Sequence, residues 1–195
     1  MLILNILLFI GLGMVTWSFA EYAIHNWVGH LGKGRNEFSR EHLAHHKDPH
    51  YFAAASKKAW TAMLAMSALG PLSCYAIGWL GGIVYSLAFL ATYVSYEVLH
   101  RRAHTVAPGT AYTRYMYKHH LLHHFGSPKT NHGVTSPFWD FVFGTFVKPG
   151  QIRVPEKDVM SWLCDETGEV KPAFRDDYIL IHRSKTVSEP SKAEV

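Results

Sequence analysis

Lysine and arginine are absent from two long stretches of this chain, and their distribution restricts the possible folds more than any other feature. Neither residue occurs in residues 1–32 or 59–100, although the chain contains 19 of them. Both stretches are also strongly apolar. Because a segment of about 20 apolar residues can cross a bilayer, residues 2–20 are predicted to form a transmembrane helix.

The second apolar stretch, residues 59–98, is about twice as long as one membrane span. The turn-forming segment GWLGG at its middle predicts two transmembrane helices, over residues 59–77 and 82–99. The predicted fold class is therefore all-α, an integral membrane helical bundle with about three transmembrane helices. A buried helical hairpin of a soluble protein is the alternative, and the complete absence of Lys and Arg argues against it.

The predicted spans also fix the side of the membrane on which the histidines lie. One crossing precedes the histidines of residues 25–50, and two more separate them from those of residues 100–124. An even number of crossings returns the chain to the same side. Every Lys and Arg lies on that side too, which the positive-inside rule assigns to the cytoplasm. We therefore expect a multi-pass membrane protein with its histidine clusters and C-terminus in the cytoplasm.

Ten of the 14 histidines fall into four spaced groups, which read HNWVGH, HLAHH, HRRAH and HLLHH. Positions i, i+3 and i+4 share one face of an α-helix. Each H-x-x-H-H motif is therefore expected to direct three imidazoles the same way. His25 and His30 would diverge by about 140° on a regular helix, so we expect one of them to lie beyond a helix end.

Imidazole groups in this number indicate a site for two transition-metal ions. Ten ligands are too many for one ion and suit two ions with about five ligands each. No acidic residue lies inside the four groups, which differs from the Glu-x-x-His pattern of soluble di-iron bundles. A pH-sensing cluster or a passive histidine-rich metal store would not need the repeated spacing. The modest net charge of +4 does not indicate a nucleic-acid partner.

The order of these motifs resembles that of the fatty acid hydroxylase superfamily of integral membrane proteins, which also includes sterol desaturases and carotenoid hydroxylases. The fatty acid 2-hydroxylase branch is the most similar, through HRRAH, KHHLLHHFGSP and NHGVTSPFWDFVFGT. The resemblance covers about residues 20–148. It implies ten metal ligands, which are His25, His30, His42, His45, His46, His100, His104, His120, His123 and His124.

The resemblance also suggests residues that support the metal ligands. His119 precedes the last motif and is expected to orient a ligand or a water molecule. Asn131 and His132 are weaker candidates, for which a simple turn is the alternative. Asp140 matches a Trp-Asp pair of the family and is expected either to cap a helix or to contact metal.

The implied activity is O2-dependent insertion of a hydroxyl group into a C–H bond of a fatty acyl chain or a related membrane lipid. The implied cofactors are two iron ions, which zinc can replace in preparations, and no catalytic residue is assigned beyond the metal ligands. Electrons are expected from a separate protein, because the chain has no GxGxxG motif or cysteine cluster. A sterol desaturase, a carotenoid hydroxylase and a non-catalytic metal-binding membrane protein remain the alternatives.

The remaining expectations concern the substrate and the C-terminal part of the chain. Phe138, Trp139, Phe141 and Phe143 are expected either to line an acyl channel or to anchor the protein at the membrane interface. Residues 1–148 are predicted to form the catalytic domain, residues 149–182 a small cytoplasmic cap, and residues 183–195 a disordered tail.

Overall fold

Two helices of the described chain are long and apolar enough to cross a membrane. The computed structural model describes residues 1–181, in which α1 covers Leu2–Ala23 and α3 covers Ala55–Thr105. Ile77 and Gly78 interrupt α3 with non-helical dihedral angles, and Gly78 has a φ of 77°, a conformation that glycine adopts without steric cost. The interruption divides α3 into a first leg, residues 55–76, and a second leg, residues 79–105.

Hydrogen bonds between the two legs of α3 show that they fold back on each other. Near the turn, Ser73 Oγ lies 2.9 Å from Ser86 Oγ and donates to the carbonyl oxygen of Gly82 at 3.2 Å. At the opposite end, Lys58 Nζ forms an ion pair with Glu97 at 2.5 Å. The predicted hairpin is therefore present, but its turn begins one residue earlier and is tighter than GWLGG. The number of membrane crossings stays a prediction.

Helix α1 packs against the second leg of α3 through a close approach at Gly13. A Cβ atom on Gly13 would lie 2.5 Å from the backbone oxygen of Tyr85 and 2.9 Å from Ala88 Cβ. Small residues at helix contacts allow backbones to approach in this way. One turn further on, Trp17 packs edge-on against Phe89 at a centroid distance of 5.3 Å. This contact fixes the end of α1 that leads into the histidine region.

Three shorter helices complete the histidine-bearing part: α2 over Glu37–Lys47, α4 over Ala111–Phe125 and α5 over Phe138–Val142. Asn36 caps α2 by accepting a hydrogen bond from the Ser39 amide at 2.7 Å. Thr110 and Thr113 form a reciprocal capping box at the start of α4. The caps define where each helix starts and therefore which way its histidines point.

The C-terminal segment packs against α4 and the end of α3. Strand β1 (Ile152–Pro155) pairs in parallel with β2 (Tyr178–Ile181), with Ile152 opposite Tyr178. Short 3₁₀ turns cover Glu156–Asp158 and Pro172–Phe174. The small sheet was not predicted, although the chain is mostly helical as expected. The segment shares one buried core with the helices, formed by Ala103, Tyr117, Leu121, Ile152, Val154, Met160, Trp162, Leu163 and Tyr178.

The predicted division into a catalytic domain, a cap and a tail stays a prediction. His182 and residues 183–195, the predicted tail, lie outside the described residues.

Candidate metal centre

The ten predicted ligands come together in two groups of five. Each residue offers one ligand atom, and the five atoms of a group all lie within 4.8 Å of one another. The first histidine group is His25, His30, His42, His46 and His123. The second histidine group is His45, His100, His104, His120 and His124. The structure therefore assembles the set that the spacing suggested, and the binding of metal by this set stays a prediction.

The two H-x-x-H-H motifs divide their imidazoles between the two groups. This differs from the expectation that the three imidazoles of each motif point the same way. In α2, His42 and His46 join the first group while His45 joins the second. Helix α4 has the opposite division: His123 joins the first group, and the other two histidines of its motif join the second. Helices α2 and α4 thus contribute to both groups, which places the groups side by side.

A π-helical turn brings His25 and His30 to one face. The chain continues from α1 into π-helix over Ile24–His30, and the Leu31 amide donates to the Asn26 carbonyl at 2.9 Å. In such a turn the backbone repeat is i to i+5, which is the spacing between the two histidines. The expectation that one of them lies beyond a helix end was wrong, because it assumed a regular α-helix.

Backbone carbonyl groups determine which ring nitrogen of three histidines carries hydrogen. Nδ1 of His25 lies 2.5 Å from the His132 carbonyl oxygen, and Nδ1 of His123 lies 2.6 Å from that of Thr130. In the second group, Nδ1 of His45 lies 2.7 Å from the Tyr51 carbonyl oxygen. A carbonyl oxygen only accepts, so Nδ1 donates and Nε2 of the neutral ring keeps a free lone pair.

These lone pairs point at one another in the first group. Nε2 of His123 lies 2.9 Å from Nε2 of His25, 2.9 Å from Nε2 of His30 and 3.0 Å from Nε2 of His46. Since neither His25 nor His123 has hydrogen on Nε2, their short approach is not a hydrogen bond. Converging lone pairs of this kind are stabilised by a shared cation.

The distances between nitrogen atoms also fit metal ligation. Metal–imidazole bonds are about 2.1 Å long, so two ligands at right angles are separated by about 3.0 Å. In the second group, His45 and His100 approach to 3.1 Å and His104 and His120 to 3.0 Å through their Nε2 atoms. Both groups therefore have the donor atoms and the dimensions that a transition-metal ion requires.

Burial keeps these imidazoles neutral, as metal ligation requires. Loss of hydration on burial lowers the pKa of His45 to about 4 and that of His46 to about 3. The same effect, followed by repulsion from neighbouring imidazoles, holds the pKa of His42, His120, His123 and His124 well below the ordinary value. Uncharged imidazole is the form that binds metal.

Asp140 organises the loop that supports the first group. Its carboxylate accepts hydrogen bonds from the amides of His132 and Gly133, both at 2.8 Å, and from the Thr145 hydroxyl at 2.7 Å. It also lies 3.1 Å from His119 Nε2. Burial alone would raise the pKa of Asp140, but these hydrogen bonds lower it well below the ordinary value. Asp140 therefore neither caps a helix nor belongs to either histidine group.

The three predicted supporting residues occupy different positions around this loop. His119 contacts Asp140, whereas His132 contributes its backbone carbonyl to His25 and places Nδ1 3.6 Å from Asp140. Asn131 adopts a φ of 59° and pairs through its side chain with the backbone of Val147. Asn131 thus joins its loop to the segment that follows α5, and a supporting role for all three residues stays a prediction.

Glu21 is a buried residue of this region that the sequence did not single out. Only 3% of its surface is exposed, although it is a carboxylate at the end of an apolar helix. It accepts hydrogen bonds from the amides of Val134 and Thr135 and from the Thr135 hydroxyl. Glu21 therefore joins α1 to the loop that carries Asp140. The sequence feature that could have identified Glu21 is the position of an acidic residue at the end of an apolar stretch.

A cavity of about 540 Å³ adjoins both histidine groups, and its lining includes His42, His45 and His100. The predicted aromatic segment does not line it. Phe143 instead stacks on Tyr22, and Trp139 donates a hydrogen bond to Ser18. Of the two interpretations of that segment, the acyl channel is thus wrong for this cavity, and anchoring at the membrane interface stays a prediction.

Comparisons with known proteins agree with the family suggested by the motifs. The family model described as fatty acid hydroxylase matches residues 10–145. A dihydroceramide fatty acyl 2-hydroxylase of Arabidopsis thaliana is 30% identical over 139 residues, covering 69% of this chain and 58% of that protein. The fatty acid 2-hydroxylase of Mus musculus is 30% identical over 150 residues, covering 71% of this chain and 40% of that protein.

A solved structure shares the fold. The hydroxylase domain of scs7p superposes with a TM-score of 0.58 at 24% identity, and the match covers 75% of this chain and 58% of that chain. At this identity the likeness concerns the fold. The chain spans about half the length of the curated relatives that it matches.

Proposed function

The chain belongs to the fatty acid hydroxylase family, and we propose that it is a membrane-bound di-iron enzyme that uses O2 to hydroxylate the acyl chain of a lipid. The observation that carries the proposal is the pair of five-histidine groups with converging lone pairs. The relatives named as fatty acyl 2-hydroxylases support a carbon near the carbonyl end of the chain as the point of attack.

The histidines would hold the two ions, one in each group. When bound, two iron ions supply the O2 activation that attack on an unreactive C–H bond requires. The carbonyl groups of His132, Thr130 and Tyr51 keep the ligand nitrogens unprotonated and correctly oriented. The apolar cavity beside the groups would hold the substrate and exclude water from the reacting carbon.

The proposed reaction also requires a reductant. One oxygen atom of O2 enters the C–H bond, and the other leaves as water with two electrons and two protons. We propose that a separate electron-transfer protein supplies the electrons. It would reach the histidine groups from the cytoplasm, the side to which the Lys and Arg distribution assigns them. Lipid would enter from the membrane that α1 and α3 are long enough to span.

Mass spectrometry of total lipids tests this function. Cells expressing the wild-type chain with an electron donor should contain a lipid heavier by one oxygen atom. Replacing His123 by Ala removes a residue that faces three partners in the first group, so the product should disappear. His50 is exposed and belongs to neither group, so His50→Ala should retain it.

Three other outcomes would count against the proposal. A lipid that loses two hydrogen atoms would instead indicate desaturation on the same scaffold. No lipid change in the wild type would favour a metal-binding protein without this chemistry. Full activity of His123→Ala would remove the proposed site.

A further inference from the structure

The cavity beside the histidine groups is bounded by helix faces with regular spacing. On the first leg of α3, its lining residues are Lys57, Lys58, Trp60, Thr61, Ala62, Ala65 and Met66. Lys58, Thr61, Ala62, Ala65 and Met66 follow the pattern i, i+3, i+4, i+7 and i+8, which defines one face of a helix. Lys57 and Trp60 flank this face. The first leg therefore presents one continuous stripe to the cavity.

The second leg of α3 and helix α1 form two further walls of the cavity, and α2 contributes residues at the histidine end. On the second leg of α3, the lining residues Phe89, Tyr93, Tyr96 and His100 lie on one helix face. Helix α1 contributes Trp17 among its lining residues, and its ring packs against Phe89 and Tyr93. The cavity is therefore an elongated groove that runs along the helix axes away from the histidines.

Charge is confined to the histidine end of this groove. There, Lys57 forms ion pairs with Glu37 at 3.0 Å and Glu41 at 2.7 Å, and Lys58 pairs with Glu97 at 2.5 Å. The opposite end is apolar, and its lining residues are Ala62, Ala65, Met66, Phe89 and Leu90. A molecule with a polar head and an apolar tail fits this gradient in one orientation, with its head beside the histidines.

We propose that the groove binds the acyl chain of a single lipid and that Ala62 and Ala65 determine the length of chain that can be hydroxylated. This inference rests on the proposed function, and it adds the site of the acyl chain and two residues that set specificity. Ala65 lies at the apolar end and Ala62 about one helical turn nearer to Lys58. Each carries only a methyl group, so both leave the groove open. A larger side chain at either position would close it.

The structure also indicates how many acyl carbons the groove holds before a larger side chain would block it. The second leg advances about 16 Å over the eleven steps between Phe89 and His100, at about 1.5 Å per step. An extended chain of single bonds advances about 1.2 Å per bond, by comparison with the reach of extended polypeptide. About 13 carbons therefore lie between the histidine end and the level of Phe89.

The test is hydroxylation by Ala65→Trp of acyl chains of different length. Cells co-expressing an electron donor are fed a mixture of saturated fatty acids, and the hydroxylated chains released from total lipids are measured by mass spectrometry. We expect chains of about 10 carbons or fewer to be hydroxylated within about two-fold of wild type. Chains of about 16 carbons or more should lose at least about ten-fold. Ala68→Trp is the matched control, because Ala68 is exposed on the same leg and does not line the groove.

The outcomes separate this inference from the proposed function. An unchanged ratio of long to short products in Ala65→Trp would overturn the assignment of the groove. The metal content of purified Ala65→Trp shows whether this variant has folded. If its metal is lost, the smaller change Ala62→Leu must lower the ratio of long to short products in the same way. An unchanged ratio in Ala62→Leu would then overturn the assignment of the groove. A wild-type chain that hydroxylates no acyl chain of any length would reject the proposed function itself.

Discussion

The substitution Asp140→Asn tests whether the two proposed metal ions are supported independently. The carboxylate of Asp140 accepts hydrogen bonds from two backbone amides, those of His132 and Gly133, one on each oxygen. An asparagine offers one oxygen and one amide group. In either orientation of the side chain, a buried backbone N–H therefore faces another donor.

The magnitude follows from the hydrogen bonds that change. A buried N–H without an acceptor costs about 1–3 kcal/mol. The bonds that remain lose the charge of the carboxylate and weaken by about half. We expect Asp140→Asn to lower the free energy of unfolding by about 2–5 kcal/mol. That is a large part of the roughly 5–15 kcal/mol that stabilises a folded domain.

The local consequence should be confined to one metal ion. The loop held by Asp140 carries the carbonyl groups that orient His25 and His123, whereas His45 of the second group is oriented by Tyr51. Loss of such an orienting contact lowers metal affinity by about 10–100-fold. The variant should therefore release one ion per chain at a chelator concentration about 10–100-fold lower than the wild type and retain the other.

The assay is elemental analysis of purified, metal-loaded protein after equilibration with increasing chelator. Asp176→Asn is the control, because Asp176 is an exposed carboxylate distant in sequence from the loop. Release of both ions together would refute the separate support of the two groups. Retention of both ions at wild-type affinity would refute the role of Asp140.

Two further predictions concern stability and are measured by thermal unfolding in detergent. Gly13→Val should lower the free energy of unfolding by about 1–3 kcal/mol, because the added Cβ meets the backbone of α3 at 2.5 Å; Gly11→Val, with nothing within 4 Å, should have little effect, and equal effects would refute this packing. Asp177→Asn should cost about 1–2 kcal/mol at neutral pH, because the buried carboxylate pairs with two cations of α4. Burial raises the pKa of Asp177, but these pairs lower it overall, so the stabilisation is present above the unfolded pKa and disappears as pH falls through the folded value. The difference between wild type and variant should therefore narrow below about pH 4, and a constant difference would contradict the role of the charge.

The sequence predicted those features of the fold that local patterns encode. The absence of Lys and Arg located α1 and the α3 hairpin, because a long apolar segment is recognised from its own residues. The repeated spacing of histidines identified all ten members of the two groups. The first inference used contiguous stretches of the chain, residues 1–32 and 59–100, and the second used residues at most five positions apart.

Features that depend on distant residues or unusual local geometry were not predicted. The division of HLAHH and HLLHH between two groups depends on how α2 and α4 face each other, which spacing within one helix does not report. The π-helical turn at Ile24–His30 does not have the α-helical repeat of 3.6 residues. The prediction for His25 and His30 assumed that repeat.

The contacts of buried acidic residues illustrate the same limit. Glu21 contacts Val134, which lies 113 positions away in sequence. The groove likewise combines faces of α1, α2 and both legs of α3. Its stripes are regular, but a single stripe of apolar residues looks the same whether it faces lipid or a cavity.

The most direct test of the central proposal is the origin of the oxygen atom in the product. Membranes containing the wild-type chain, an electron donor and acyl lipid are incubated under dioxygen labelled with a heavy isotope, and the hydroxylated chain is analysed by mass spectrometry. We predict that the new hydroxyl group carries the heavy isotope and that it is lost in both His123→Ala and His124→Ala, which alter different histidine groups. A hydroxyl oxygen derived from water, or full product in either variant, would contradict an O2-dependent hydroxylase that needs both groups.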